Sequence, residues 1–193
     1  MIRKCSLKKI ISIYLLKFGN PNLVAKPGFA LKDAKKIYMI EITETKDFRL
    51  LAEMNEEIQT LHHSSYPSVF KPFDKESVTN FFEASLENEN AVAFIAKENG
   101  TALGYVLLFI IHFADNPFQY SRSYVLVDQI LVLEQYRTKG IGKLLLEATF
   151  SFAQSKKINL VELNHWSRND AARRFFNKSG FNYYNEKMWK LLG

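Results

Sequence analysis

The chain has 193 residues, of which 47% are hydrophobic and 14% aromatic, a composition typical of one folded domain and not of a disordered chain. Its single cysteine excludes an internal disulfide and a zinc site built from several thiolates, so a reducing, cytoplasmic location is expected. The net charge of +6 has its source in residues 1–36, where nine basic side chains accompany one acidic one and leave a net charge of −2 for residues 37–193. A nucleic-acid-binding surface on the folded part is therefore not expected.

Residues 1–37 are interpreted as a basic N-terminal appendage, disordered or non-native, and residues 38–193 as the functional domain. The apolar run Ile10–Leu16 is far too short to span a membrane, and no small-x-small cleavage site follows it. Met39 lies just before the first clear strand pattern, so translation from Met39 would give a complete domain. No membrane partner is expected, and the tail alone predicts only weak, salt-sensitive attraction to polyanions.

Hydrophobic periodicity predicts ten elements in the order β-α-α-β-β-β-α-β-α-β. They are a strand over 38–42, helices over 46–62 and 74–86, strands over 91–97, 102–113 and 124–133, a helix over 140–156, a strand over 160–166, a helix over 169–179 and a strand over 181–191 that closes the sheet. Thr45 is the predicted N-cap of the first helix, and Asn99-Gly100 predicts a tight hairpin. Gly180 suits the left-handed position after the last helix.

This pattern predicts a mixed α/β (α+β) domain. The strand over 102–113 is almost continuously apolar, which indicates a central position in the sheet. The strand–helix–strand unit over 124–166 requires a parallel crossover, whereas the first half is connected mainly by hairpins.

A phosphate-binding loop is predicted between residues 134 and 142. Arg137, Thr138, Lys139, Gly140, Ile141 and Gly142 form an R-x-x-G-x-G sequence that leads from a strand into a helix. Backbone N–H groups at such a helix start have no intrahelical partner and attract anions. Arg137, Lys139 and Lys143 add positive charge. A glycine-containing helix start that binds no ligand has the same local sequence, so this motif alone leaves both interpretations open.

Two other phosphate motifs do not fit this loop. The P-loop requires Ser or Thr after the Gly-Lys pair, but Leu144 follows Gly142-Lys143. The dinucleotide fingerprint requires a third glycine at the sixth position, which counted from Gly140 is Leu145.

The segment Asn169–Phe181 resembles the N-x-x-A, F-Y, G-F signature near the end of GNAT-family N-acetyltransferases, and the R-x-x-G-x-G loop resembles the acetyl-CoA pyrophosphate motif of that family. The resemblance covers about residues 38–193. It implies the GNAT acyl-CoA N-acyltransferase fold, a central mixed, mostly antiparallel sheet flanked by helices. The implied activity is acetyl transfer from acetyl-CoA to a primary amine of a small molecule or protein, by direct attack in a ternary complex.

The resemblance also implies roles for individual residues. Backbone groups of Ile130, Leu131 and Val132 would bind the pantetheine arm, and residues 137–142 would bind the pyrophosphate. Asn169 would approach the pantetheine or cap the last helix. Phe176 would face the thioester sulfur.

Phe176 departs from the family pattern, which has a tyrosine there as proton donor to the leaving thiolate. Either Tyr183, Tyr184 or a water supplies the proton, or the enzyme is slow. A further alternative is a catalytically weak or inactive acetyl-CoA-binding module. His165 is a second departure, interpreted either as a packed histidine or as a titratable group near the cleft.

Asp128 is the candidate general base, with Glu162 in reserve, because Asp128 lies just before the proposed cofactor strand. A strand-edge or capping carboxylate and water-mediated deprotonation are the alternatives. The acceptor site is assigned to the region between 46 and 86, which is rich in aromatic and histidine side chains, namely His62, His63, Tyr66, Phe70 and Phe73. No acid or thiol lies at ligand spacing, so no metal is expected. The protein is predicted to be a monomer or homodimer.

Overall fold

The structure, a computed structural model, describes residues 40–190 and 192. The predicted N-terminal appendage, Met39 and the start of the first predicted strand lie outside the described residues.

Five strands and four helices make up the described fold, and most of them lie within three residues of their predicted positions. The strands are β1 (Ile40–Thr45), β2 (Ala91–Glu98), β3 (Thr101–Phe113), β4 (Arg122–Val132) and β5 (Val161–Leu163). The helices are α1 (Phe48–Ser65), α2 (Lys75–Glu87), α3 (Ile141–Ser155) and α4 (Asp170–Lys178), and a short 3₁₀ turn covers Glu134–Tyr136.

The strands form one sheet in the order β1-β2-β3-β4-β5. The first three neighbouring pairs are antiparallel, and β4 pairs in parallel with β5. This confirms the mixed, mostly antiparallel sheet, the central place of β3 and the parallel crossover through α3. The β2–β3 turn has positive φ angles at Asn99 and Gly100, as an Asn-Gly hairpin requires.

Each face of the sheet has its own hydrophobic core. On one face, Ile141, Leu145 and Ala153 of α3 pack against strand residues such as Val106 and Val125. On the other, α1 and α2 contribute Leu51, Ala52, Met54, Phe82 and Leu86, which pack against Tyr105, Leu107 and Leu131. The two cores hold β3 and β4 rigidly between helical layers, which fixes the position of the residues at the end of β4.

The helix ends show one wrong prediction and one confirmed one. The N-cap of α1 is Asp47, whose carboxylate accepts from Leu50 N at 3.1 Å; Thr45 ends β1, and its hydroxyl accepts from Asp47 N. The end of α4 is as predicted, since Gly180 has a φ of +90°. The N–H groups of Gly180 and Phe181 bond the carbonyls of Asn177 and Phe176, a Schellman closure.

The predicted last strand over 181–191 is wrong for the part that the structure describes, because residues 181–190 have no regular secondary structure. Phe181 instead packs against Phe150 and Phe176, with ring centroids 6.1 and 5.9 Å apart. The neighbouring edge strand β5 has only three residues, too few backbone groups to hold a long partner strand in register. Within the described residues, no helix is long and apolar enough to span a membrane.

Candidate active site

A cleft opens where β4 and β5 separate. The two strands pair only as far as Val127 and Leu163, whereas β4 continues to Val132 on the β3 side. The cleft has a volume of about 470 Å³. Its floor is β4 from Val127 to Ile130, and its walls come from α1, α2 with the loop between them, and the segment from Leu163 to α4. Along Asp128–Val132 the backbone edge opposite β3 therefore has no strand partner among the described residues.

The loop after β4 presents backbone amides at the start of α3. Gly140, the N-cap of α3, has φ +82°, and no side chain caps the helix or places an acid in its first turn. Thr138 also has a positive φ of +64°. Alternating left- and right-handed residues before a helix point successive N–H groups to one side, which makes an anion-binding concavity. Lys139 and Lys143 lie beside it, Lys143 within 3.7 Å of Glu147.

The Arg137 side chain supports this loop from behind. Its Nε donates to the Val132 carbonyl at 3.0 Å, and its guanidinium pairs with Glu57 of α1. The second Glu57 oxygen accepts from Glu134 N at 3.0 Å. Arg137 therefore connects the loop to α1 and to the end of β4. The sequence had instead predicted that its positive charge would bind the pyrophosphate.

Helix α4 packs against the start of α3. A Cβ placed on Gly142 would lie 3.0 Å from the Phe175 ring, so glycine is needed here for packing as well as for access to the amides. Asn169 is the N-cap of α4, and its side chain accepts from Ala172 N at 3.0 Å. Asn169 also lines the cleft. It thus performs the capping role that sequence analysis gave as one of two alternatives.

Asp128 lies on the cleft floor because of an irregularity in β4. Leu107 and Leu108 of β3 pair with Gln129 and Val127, so Asp128 is an extra residue without a cross-strand partner. Such a β-bulge re-aims side chains, and both Asp128 and Gln129 face the cleft. Partial burial between the cleft walls raises the pKa of Asp128, although a hydrogen bond from Gln129 opposes this shift.

Phe176 is buried beside the cleft, and His165 lies next to it. The two ring centroids are 6.3 Å apart. His165 follows the end of β5 and is half-buried, and its Nε2 lies 2.9 Å from the Tyr183 hydroxyl. His165 lines the cleft. The placement fits a packed histidine bonded to backbone as well as a group near the cleft, because His165 lies beside Phe176 and its Nδ1 is 3.4 Å from the Trp166 carbonyl oxygen.

Glu162 and Tyr184 lie outside the residues that line the cleft. Glu162 is 3.9 Å from Arg122. Hydrogen bonding to Glu162 raises the pKa of Tyr184. Glu162 and Tyr184 therefore lie outside the cleft that Asp128 and Phe176 line, although the sequence suggested both as candidate catalytic residues.

Aromatic side chains line both walls of the cleft, but only some of the aromatic and histidine residues predicted for the acceptor site are among them. His62 stacks on Phe70 at 4.7 Å, and Trp166 meets Phe70 edge-on at 4.8 Å. Burial lowers the pKa of His62. Of the predicted aromatic set, His63, Tyr66 and Phe73 do not line the cleft.

Several residues that line the cleft were not predicted as site residues, among them Asn55, Gln129, Phe81 and Trp166. Asn55 could have been recognised from the sequence, because it is a polar residue on the same helix face as the apolar residues Leu51 and Ala52. Gln129 could have been recognised as well, because it is a polar residue in an otherwise apolar strand. In the described part of the chain, no three acidic, histidine or cysteine side chains are close enough together to hold a metal ion.

Comparisons with known proteins agree with this arrangement. A model of the acetyltransferase (GNAT) family matches residues 55–181. The chain is 31% identical over 108 residues to the uncharacterized N-acetyltransferase YhfO of Bacillus subtilis (strain 168), covering 56% of this chain and 70% of that protein.

Two solved structures share the fold. A tetramutant of the BH1408 protein from Bacillus halodurans superposes with a TM-score of 0.74 at 21% identity, over 78% of this chain and 99% of that one. A predicted acetyltransferase from Clostridium acetobutylicum, solved with acetyl-CoA, has a TM-score of 0.62 at 20% identity, over 80% of this chain and 96% of that one. From the family match, the sheet and the loop before α3, we conclude that this chain belongs to the acetyltransferase (GNAT) family.

Proposed function

We propose that this protein transfers the acetyl group of acetyl-CoA to a primary amine of a small molecule or protein. The observation that carries the proposal is the free backbone edge of β4 after Val127, which continues into the amide-rich start of α3. An extended amide-bearing chain fits the first, and a diphosphate fits the second. Solved relatives of this fold contain CoA or acetyl-CoA.

The chain's own groups suit this co-substrate. Ile130 offers backbone groups along the free edge, whereas those of Leu131 point toward β3 and the Val132 carbonyl already accepts from Arg137. The amides from Thr138 to Lys143 face the pyrophosphate position, where Lys139 and Lys143 add charge. Acetyl-CoA, when bound, supplies an acetyl group that a free amine takes directly from the thioester. A backbone N–H of β4 near Ile130 is placed to polarise the carbonyl oxygen.

Asp128 is the proposed general base. Its carboxylate faces the cleft from the bulge, and partial burial raises its pKa toward the range in which a base accepts protons efficiently near neutral pH. Glu162, the reserve candidate, is the weaker choice because it lies near Arg122 outside the cleft lining.

Tyr183, hydrogen-bonded to His165, is the proposed source of the proton that the leaving thiolate takes up. Phe176 has no ionisable proton, yet His165 lies beside its ring and holds the Tyr183 hydroxyl at 2.9 Å. Neither tyrosine lines the cleft itself, and Tyr184 is the weaker choice because it interacts with Glu162 and not with a cleft-lining side chain.

A thermal-shift titration with acetyl-CoA tests co-substrate binding. Ligand at about 100 times its Kd adds roughly 2.7 kcal/mol of stability to the parent protein. Gly142→Asp is expected to abolish this shift, because its carboxylate repels the phosphates. Gly142→Ala is the matched control, since it makes the same contact with Phe175 without the charge. If Gly142→Asp shifts as much as the parent protein, the loop assignment is wrong.

Release of CoA in the presence of a panel of amines tests catalysis. The catalytic proposal expects release that depends on the amine. The second candidate, a non-catalytic acetyl-CoA-binding module, is supported by the missing hydroxyl at Phe176. It expects the thermal shift to persist while no amine releases CoA.

A further inference from the structure

A buried hydrogen-bonded network lies directly beneath the candidate base. Asn55 of α1 donates through Nδ2 to the Tyr105 hydroxyl and to Gln129 Oε1, both at 2.9 Å. The Tyr105 hydroxyl donates to the same Gln129 oxygen at 2.8 Å. Tyr105 is fully buried, and Asn55 is 6% exposed.

This network determines which way the Gln129 amide points. Two donors converge on Oε1, so with Asn55 in its present orientation a flip of the Gln129 amide alone would place its NH₂ group against the Asn55 NH₂ group. Such a donor–donor contact in a buried site is costly. The Gln129 Nε2 is thereby directed away from the network.

The β4 bulge brings Asp128 to the same side. Consecutive residues of a regular strand point to opposite faces, but here Asp128 is the extra residue, and both side chains reach the cleft. The neighbouring Gln129 amide lowers the pKa of Asp128, in opposition to burial.

We infer that Asn55 and Tyr105 lock the Gln129 amide so that its Nε2 donates to the Asp128 carboxylate, which makes Gln129 a positioning residue for the base. The inference rests on the proposed function, in which Asp128 takes the proton from the amine. The donor keeps the carboxylate ionised and fixes its direction, and the two buried partners prevent the amide from turning a carbonyl oxygen toward it.

Other ionisable groups also line this cleft, and all of them except Tyr105 keep their identity in every variant tested. They are His62 of α1, Lys71 and Asp74 of the α1–α2 loop, Tyr105 of β3 and His165 after β5.

The experiment measures kcat/KM as a function of pH with the best amine from the panel. Gln129→Leu is expected to lower kcat/KM on the acidic limb of the profile by up to about 10- to 100-fold, the equivalent of one hydrogen bond to a charged group. The acidic limb of the profile is expected to move to higher pH, because the carboxylate without its donor protonates more easily. The rate should approach that of the parent at alkaline pH, where Asp128 is ionised in both proteins.

Tyr105→Phe should shift the acidic limb in the same direction, and it should add little in the Gln129→Leu background. Gln154→Leu, a change at an exposed position of α3, is the matched control and should leave the profile unchanged. The acetyl-CoA thermal shift should persist in all variants, which separates this effect from misfolding.

A uniform loss of rate at every pH in Gln129→Leu, or additive losses in the double variant, would overturn the inference. Asp128→Asn distinguishes this failure from that of the proposed function. If Asp128→Asn is fully active, the base assignment itself is wrong. If it is inactive while Gln129→Leu keeps the parent profile, only the positioning role fails.

Discussion

At Asp128, two influences act on one carboxylate in opposite directions. The cleft walls partly remove it from water and raise its pKa, and the Gln129 amide lowers it, with burial the larger cause. The folded protein therefore binds the Asp128 proton more tightly than the unfolded chain does. Because of this difference, the ionised side chain costs folding stability as the pH rises through its titration.

Asp128→Asn should therefore stabilise the fold at neutral pH, because asparagine has no charge to desolvate. The gain in Tm should disappear below the usual aspartate pKa of about 3.9, where the parent carboxyl is protonated. Thermal denaturation of both proteins across this pH range measures the effect. A variant that is less stable than the parent at neutral pH would show that the ionised carboxylate is stabilised in the fold.

His165 contacts both Phe176 and Tyr183, the proposed proton donor. Phe176→Tyr is expected to raise turnover by up to about 10²-fold, the lower end of what a general acid contributes. Tyr183→Phe should lower turnover in the parent and have a smaller effect in the Phe176→Tyr background. Steady-state kcat values of the four proteins test this. Unchanged turnover in Phe176→Tyr would mean that the proton comes from elsewhere.

At the scale of elements, strand β4 depends on its close contact with β3. Gly104 of β3 lies opposite Val132, and a Cβ there would be 2.5 Å from the Leu131 carbonyl oxygen. That carbonyl faces β3, on the side of β4 opposite the free edge that is proposed to bind the pantetheine arm. The absence of a side chain at Gly104 therefore sets the position of this edge.

Gly104→Ala is expected to destabilise the fold by about 1–3 kcal/mol through overpacking and to weaken acetyl-CoA binding by displacing residues 131–132. Denaturant unfolding and the acetyl-CoA titration measure the two effects. Gly100→Ala is a useful control, because its φ of +81° is strained for alanine but its Cβ meets nothing within 4 Å. It should cost about 1–2 kcal/mol without changing acetyl-CoA affinity, and a parallel loss of affinity would contradict the role of Gly104.

At the scale of the whole molecule, contacts between two distant loops cross the end of the cleft. The Tyr66 hydroxyl, after α1, accepts from Arg168 N at 2.9 Å. The Arg168 guanidinium donates to the Ser65 carbonyl at 3.0 Å and lies over the Tyr66 ring. Because β4 and β5 are no longer paired at this point, these contacts hold the two walls of the cleft together.

Removal of residues 1–37 is expected to leave the acetyl-CoA thermal shift and kcat unchanged, because the residues that line the cleft lie between Asn55 and Phe176. The same deletion should remove a salt-sensitive attraction to polyanions, since residues 1–36 carry most of the basic excess. Titrations of a polyanion at two salt concentrations, with and without the tail, test this. A truncated protein that no longer responds to acetyl-CoA would contradict the domain boundary.

Local sequence patterns predicted the four helices and five strands that the structure describes, in their order, and a candidate phosphate loop before α3. Helical and strand periodicities are local properties, and Gly140, Gly142 and Gly180 mark backbone turns that need no distant partner. The prediction failed at the C-terminus, where a strand over 181–191 was expected to close the sheet although β5 offers only three residues to pair with.

Which polar side chains contact one another depends on the tertiary structure. Asp128 and Gln129 share a side because of a bulge relative to β3, and Asn55 reaches them from α1 across 74 residues of chain. Arg137 is directed to Glu57, and Glu162 to Arg122, by the packing of elements far apart in sequence. Such pairings depend on register and on helix docking, which a local pattern does not encode.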